Sequence, residues 1–178
     1  MEDKALLSTE EASGAEKAEL LIVIPAYNEA ENIERVVNHL TANFPQYDYV
    51  VVNDGSRDET AAICQRNGYN LLNLPVNLGL AGAFQAGLKY ADKYGYQYAV
   101  QLDGDGQHRP EYLESMIKKM EEGYDIVIGS RFVGEKKPFT MRMLGSNLIE
   151  MAIRFTTGVN IKDPTSGMRM FSKRMIRE

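Results

Sequence analysis

Short continuous apolar runs alternate along this chain with segments whose apolar residues recur every three or four positions. Leu20-Leu21-Ile22-Val23-Ile24 is an unbroken run stopped by Pro25, the pattern of a strand buried on both faces. The spacing of Ile33, Val36, Val37 and Leu40 predicts a helix over Glu29 to Asn43, closed by Phe44-Pro45. Tyr49-Val50-Val51-Val52 predicts a second strand, Asp58 to Asn67 a helix ended by Gly68, and Leu71-Leu72-Asn73-Leu74 a third strand. A helix over Leu80 to Tyr94, ended by Gly95, leads to a strand at Tyr98-Ala99-Val100-Gln101-Leu102. Pro110 suits a first helical turn, where its missing N–H costs nothing. Gly123 ends that helix, and Ile126-Val127-Ile128 is a further strand. Strands and helices in this alternation predict an α/β fold, a mostly parallel sheet with helices on both faces.

Residues 1–18, rich in Glu, Ala, Ser and Lys, lack this pattern and read as a flexible acidic tail, leaving residues 19–178 as one domain. A chain of 178 residues with 44% hydrophobic and 25% charged residues holds one real core and gives no sign of wholesale disorder. The net charge of -5 gives no reason to expect nucleic acid as a partner. One cysteine, Cys64, excludes an intrachain disulfide and fits a reducing compartment. No apolar run approaches the roughly 20 residues that span a bilayer, and the acidic start Met1-Glu2-Asp3-Lys4 is not a signal peptide. The expected location is the cytoplasm or the cytoplasmic face of a membrane.

In a sheet of this kind, ligands bind where strands give way to loops at the carboxyl edge. Polar residues collect at three such ends: Tyr27-Asn28-Glu29, Asn53-Asp54-Gly55-Ser56 and Asp103-Gly104-Asp105. Asp103 and Asp105 stand two apart between small residues, and carboxylates this close repel unless a cation joins them. Mg2+ or Mn2+ takes one or two protein carboxylates and completes its shell with phosphate oxygens and water, which suits a diphosphate ligand. A calcium loop is the rival, because Glu114 is twelfth counting from Asp103, but His108 stands where glycine is needed and Pro110 interrupts it. A solvated acidic turn is a further, less favoured alternative for the pair alone. No Gly-Lys-Ser/Thr loop occurs, and Leu78-Gly79-Leu80-Ala81-Gly82 lacks the spacing of a dinucleotide fingerprint. Asn77 before it either caps a helix or meets substrate. Cys64 and His39 read as packing and surface groups, while His108 either orients the acidic loop or touches its ligand.

Taken together, Pro25-Ala26-Tyr27-Asn28-Glu29, Asn53-Asp54-Gly55-Ser56, Asn77-Leu78-Gly79 and Asp103-Gly104-Asp105-Gly106-Gln107 resemble family-2 glycosyltransferases of the GT-A (nucleotide-diphospho-sugar transferase) fold. Gly129-Ser130-Arg131 and Asp163-Pro164-Thr165-Ser166-Gly167-Met168-Arg169 resemble the branch of dolichol-phosphate mannosyltransferases and polyprenyl-phosphate sugar transferases. The resemblance covers about residues 20 to 172. It implies that Pro25, Ala26, Tyr27 and Glu29 line a nucleoside pocket and Asp54 binds the base, with Asn77 and Gly79 at the donor. It places Asp103 at the sugar or ribose and Asp105 with Gln107 on a metal, Mg2+ or Mn2+. Arg131 and Arg169 would face phosphate charge, for which a planar, permanently charged guanidinium is suited; a surface salt bridge is the alternative for Arg131.

The implied reaction is inverting transfer from a nucleotide-diphosphate sugar to a lipid-linked acceptor, a polyprenyl or dolichyl phosphate first, or else to a saccharide hydroxyl. A hydroxyl needs a base, for which Asp163 is the candidate, whereas a lipid phosphate is already ionised; Asp163 alternatively caps the turn set by Pro164. Met141, Leu144, Leu148, Met151 and Phe155 recur at helical spacing between Arg142 and Arg154, as an interfacial helix at a membrane or as a core or homodimer helix. A nucleotidyltransferase is disfavoured because the loop after the first strand lacks Gly, Arg and Lys. A nucleotide-sugar binding module without turnover stays open, as does a catalytic domain cut from a longer protein, since Lys173 to Glu178 reads as an unfinished helix.

Overall fold

In the computed structural model, residues 19–104, 110–129, 155, 158 and 167–178 are described. The first strand, β1 (Leu20–Ala26), is buried along its whole length and forms the middle of the sheet. Beside it run β2 (Asp48–Asn53) and then β3 (Leu71–Asn73) on one side, and β4 (Tyr98–Gln101) on the other, all parallel. Beyond β4, β6 (Arg169–Ser172) is inserted antiparallel between β4 and β5 (Ile126–Ile128), giving the order β3-β2-β1-β4-β6-β5. The expected mostly parallel α/β sheet is therefore present, with one strand reversed. That reversed strand was not predicted: Met168 to Ser172 is short, and its alternation of Arg169 and Phe171 against Met168 and Met170 is too brief to signal a strand.

Helices cover both faces. On one face α1 (Ile33–Asn43), α2 (Thr60–Arg66) and α4 (Leu113–Glu121) bury Val37, Leu40, Cys64, Leu113 and Met116 against Ile22, Ile24 and Val100. On the other, α3 (Gly79–Tyr94) and the short α5 (Lys173–Arg177) bury Ala83, Phe84, Ala91 and Ile176 against Leu21, Val23 and Val50. Cys64 lies wholly inside the first layer, and burial raises the pKa of its thiol; His39 is exposed and meets Phe44 edge-on.

Two departures from the sequence pattern shape the site. β1 continues through Pro25, which the pattern takes as its end. The Val23 carbonyl accepts from Leu102 N–H and the Ala26 carbonyl from Asp54 N–H, so successive residues address β4 and β2 in turn. Pro25 therefore faces the β4 side, where pairing has already stopped at Val23 with Gln101, and its missing N–H leaves no ladder bond unmade. The helix expected from Glu29 begins only at Ile33, because residues 27–32 form a turn instead, with Asn28 in the left-handed region at φ 57°.

Gly87 sets how closely α3 approaches β1. A Cβ there would stand 2.2 Å from Cγ1 of the buried Val23, a stiff β-branched side chain. Gly87→Ala gains about 1 kcal/mol of helix propensity, but overpacking costs about 1–3 kcal/mol, and so short a contact lies at the upper end. We expect a net loss of about 1–2 kcal/mol. Urea denaturation followed by far-UV circular dichroism measures it, tryptophan fluorescence being ruled out by a chain without Trp.

Candidate functional site

The carboxyl ends of β1, β2 and β4 and the start of α3 surround a cavity of about 420 Å³, within the range of small-ligand pockets. Pro25, Ala26, Tyr27 and Glu29 line it from the β1 loop, Asp54 from β2, and Asn77 and Gly79 from the entry to α3. Asp103 and Gly104 line it from the end of β4. Gly104 allows the β4 end to close on the β1 loop, since a Cβ there would stand 3.2 Å from the Pro25 carbonyl oxygen and 3.4 Å from Glu29 Cγ. Leu80 and Ala83, which the sequence did not single out, complete the α3 wall. They escape notice because their chemistry is that of ordinary helix residues.

Asp54 ties two of these loops together. It is buried (3% exposed), and its Oδ1 accepts from Leu78 N–H at 2.7 Å. Asn77 returns the link: its Nδ2 donates to the Asp54 carbonyl at 3.1 Å, while its Oδ1 accepts from Gly79 N–H at 3.2 Å. Asn77 thus fastens the segment before α3 to the end of β2 and also lines the cavity. The second Asp54 oxygen makes no hydrogen bond to a described residue, and no buried side-chain polar atom among those residues lacks a partner. That oxygen therefore meets the solvent of the cavity. Gly55, at φ 65°, passes so close to the next loop that a Cβ would lie 2.8 Å from Asn77 N.

A second set of bonds clasps the β1 loop to the β2 loop. Asn28 N–H donates to Ser56 Oγ at 3.0 Å, and Arg57 N–H donates to Asn28 Oδ1 at 2.9 Å. Glu29 N–H donates to Thr60 Oγ1 at 2.9 Å, and Ala30 N–H to Asp58 Oδ2 at 3.0 Å. Asp58 Oδ1 accepts from both the hydroxyl and the amide of Thr60, at 2.5 and 3.0 Å. Glu29 is further held by Asn32 Nδ2, which donates to its Oε2 at 2.9 Å. Asp58 and Thr60 lie outside the cavity, so sequence reasoning passed over them; their signal was the Ser/Thr/Asp chemistry of turns.

Asp103 accepts at Oδ1 from Gln101 Nε2 at 2.9 Å. Arg169 stands on β6 and lines a neighbouring hollow rather than this cavity. Asp105, Gln107, His108, Arg131 and Asp163 lie outside the described residues, as does the stretch 141–155 apart from Phe155. Among the described residues, no three His, Cys, Asp or Glu side chains gather to hold a metal by themselves. The cavity nevertheless brings the carboxylates of Glu29, Asp54 and Asp103 to one hollow, with Asp103 two residues before Asp105. A divalent cation carrying phosphate would offset that concentration of negative charge.

A mostly parallel sheet with one reversed strand, and a cavity at the carboxyl ends of its first strands, defines a GT-A-type fold. The chain belongs to glycosyl transferase family 2, whose profile matches residues 21–178. It is 32% identical over 167 residues to polyprenol monophosphomannose synthase of Mycolicibacterium smegmatis, covering 89% of this chain and 63% of that protein. It is 31% identical to undecaprenyl-phosphate mannosyltransferase of Micrococcus luteus, covering 89% of this chain and 68% of that one. The chain spans about two thirds of the length of these curated relatives. Glucosyl-3-phosphoglycerate synthase from Mycobacterium tuberculosis, solved with Mn2+, uridine-diphosphate-glucose and phosphoglyceric acid, matches with a TM-score of 0.69. At 20% identity, over 89% of this chain and 58% of that one, that likeness is one of fold.

The clasp has a measurable acid dependence. Burial raises the Asp58 pKa, but the hydrogen bonds from the Thr60 hydroxyl and amide and from Ala30 N–H outweigh it, and the net shift is downward. With its folded value below that of the unfolded chain, Asp58 stabilises the fold fully above pH ~4 and loses that contribution as the pH falls through the folded value. Asp58→Asn should therefore flatten the loss of stability that sets in as the pH falls below about 4. It should also loosen the Glu29 loop, speeding amide exchange of Asn28 to Ala30 about fivefold at pH 7. Hydrogen exchange and acid denaturation of both proteins check the two effects.

Proposed function

We propose that this chain is the donor-binding catalytic domain of an inverting glycosyltransferase. It transfers a sugar from a nucleotide-diphosphate sugar to the phosphate of a polyprenyl or dolichyl lipid. The observation that carries this reading is one cavity lined together by Pro25, Ala26, Tyr27, Glu29, Asp54, Asn77, Gly79 and Asp103. These residues come from four separate stretches of sequence and meet where a parallel sheet binds ligands. The lipid phosphate is supported by the names of the relatives, a polyprenol monophosphomannose synthase and an undecaprenyl-phosphate mannosyltransferase.

In this reading the nucleoside lies between the Tyr27 loop and Asp54, whose cavity-facing oxygen accepts a hydrogen bond from the base. Asp103, steadied by Gln101, holds a hydroxyl of the donor's sugar or ribose. Asp105 and Gln107 hold Mg2+ or Mn2+, which when bound stabilises the negative charge developing on the leaving diphosphate. Arg131 supplies fixed positive charge to phosphate oxygens. The acceptor phosphate is already ionised, so Asp163 acts as a turn residue and no protein base is needed.

Peripheral attachment to the cytoplasmic face of a membrane through residues 141–155 belongs to the same reading. Among the described residues no helix is long and apolar enough to cross a membrane. Phe155, the described residue of that stretch, is 92% exposed.

A thermal-shift screen of uridine, guanosine and thymidine diphosphate sugars with Mn2+ tests the donor site. One carrier should raise the melting temperature well above the others, and Asp105→Asn should abolish most of that rise; no shift with any carrier would defeat the reading. Transfer to a short prenyl phosphate should survive Asp163→Asn within about threefold. A drop of a hundredfold or more would instead assign Asp163 as a base.

A further inference from the structure

Among the described residues four polar side chains are buried: Asn53, Asp54, Thr60 and Gln101. Three of them fasten backbone at the carboxyl edge of the sheet. Asp54 accepts from Leu78 N–H, Asn53 from Ser56 N–H at 3.3 Å, and Thr60 from Glu29 N–H at 2.9 Å. Gln101 addresses a side chain instead: its Nε2 donates to Oδ1 of Asp103 at 2.9 Å.

The place of Gln101 is an unfavourable one for an amide. β4 lies between β1 and β6, and Gln101 pairs with Val23 in the parallel register. Ala99, two residues earlier and so on the same face, belongs to the apolar layer under α3. Strands inside such a sheet are ordinarily apolar throughout, and a buried amide is costly unless it is hydrogen-bonded. A leucine would fill the position without that cost.

The bond to Asp103 gives the amide a use. Asp103 is half-buried and lines the donor cavity, whereas Gln101 does not line it. A carboxylate at a cavity wall turns about χ2 unless a bond holds it. With Oδ1 held from two residues back along a strand, the plane of the carboxylate is set by the sheet, and a ligand meets an acceptor already in place. The holding group is also neutral. Arginine or lysine there would hold Asp103 equally well but would offset the charge that makes it a strong acceptor.

We infer that Gln101 is a positioning residue of the donor site, aiming the Asp103 carboxylate without touching the ligand. The inference rests on the glycosyltransferase reading above, in which Asp103 receives a donor hydroxyl, and adds the group that orients it.

A double-mutant cycle on binding tests this without relying on turnover. UDP-glucose, GDP-mannose and dTDP-glucose are titrated with Mn2+ into the parent chain. The tightest binder is then carried through Gln101→Met, Gln101→Leu, Asp103→Ala and the two double variants. Methionine keeps the shape of glutamine and removes the donor, so the melting temperature should hold or rise while affinity falls about tenfold. In the Asp103→Ala background the same change should cost less than about twofold, because the group through which Gln101 acts is gone. Leucine at 101 should repeat the pattern. Unchanged affinity, equal losses in the two backgrounds, or a loss matched by a fall in melting temperature would overturn the positioning role and leave the glycosyltransferase reading standing. A parent chain that binds none of the three sugar nucleotides would overturn that reading and the inference together.

Discussion

A carboxylate buried at the end of a strand has to be met by hydrogen-bond donors, because an unmet charge there costs several kcal/mol. Asp54 is in that position, and the donor it finds is the backbone N–H of Leu78, at the entry to α3. With Asn77 returning a bond to the Asp54 carbonyl, the end of β2 and the start of α3 are fixed to each other. Much of the cavity follows from this tie. It brings Asn77, Gly79, Leu80 and Ala83 to the wall and leaves one carboxylate oxygen facing inward. Gly55 is needed beneath it because any side chain would displace the Asn77 backbone.

The same economy governs the β1 loop. Its backbone amides at Asn28, Glu29 and Ala30 cannot pair with a neighbouring strand, and a helix has not yet begun. Ser56, Thr60 and Asp58 of the next loop accept from them one by one. The turn ends only when the Glu29 carbonyl starts accepting from Asn32 and Ile33. The turn of the β1 loop is thus specified largely by Ser56, Thr60 and Asp58, which do not line the cavity.

The central strands and the four helices α1 to α4 packed on them were legible because each carries a uniform burial pattern. β1 is apolar at nearly every position, and α1 shows Ile33, Val36, Val37 and Leu40 on one face. Asp54 and Asp103 were legible for a different reason: polar residues directly after buried strands mark the carboxyl edge. What stayed hidden depends on contacts between distant segments. Pro25 reads as a strand end until the register shows that β4 no longer pairs beside it. Glu29 to Asn32 reads as helix until the clasp claims its amides. β6 is invisible because four residues reach their partners across more than forty positions of sequence. Leu80 and Ala83, ordinary packing residues by type, gain meaning only from the cavity they line.

In the proposed function the three loops act as one nucleotide site, and hydrogen–deuterium exchange reads those loops directly. With Mn2+ and the matching nucleoside diphosphate at saturation, the amides of Asn28 to Ala30, Ser56 to Arg57 and Leu78 to Leu80 should slow together. Amides late in α3 and in α5 should be unchanged. Protection confined to another surface, or slowing of one loop without the other two, would contradict the account.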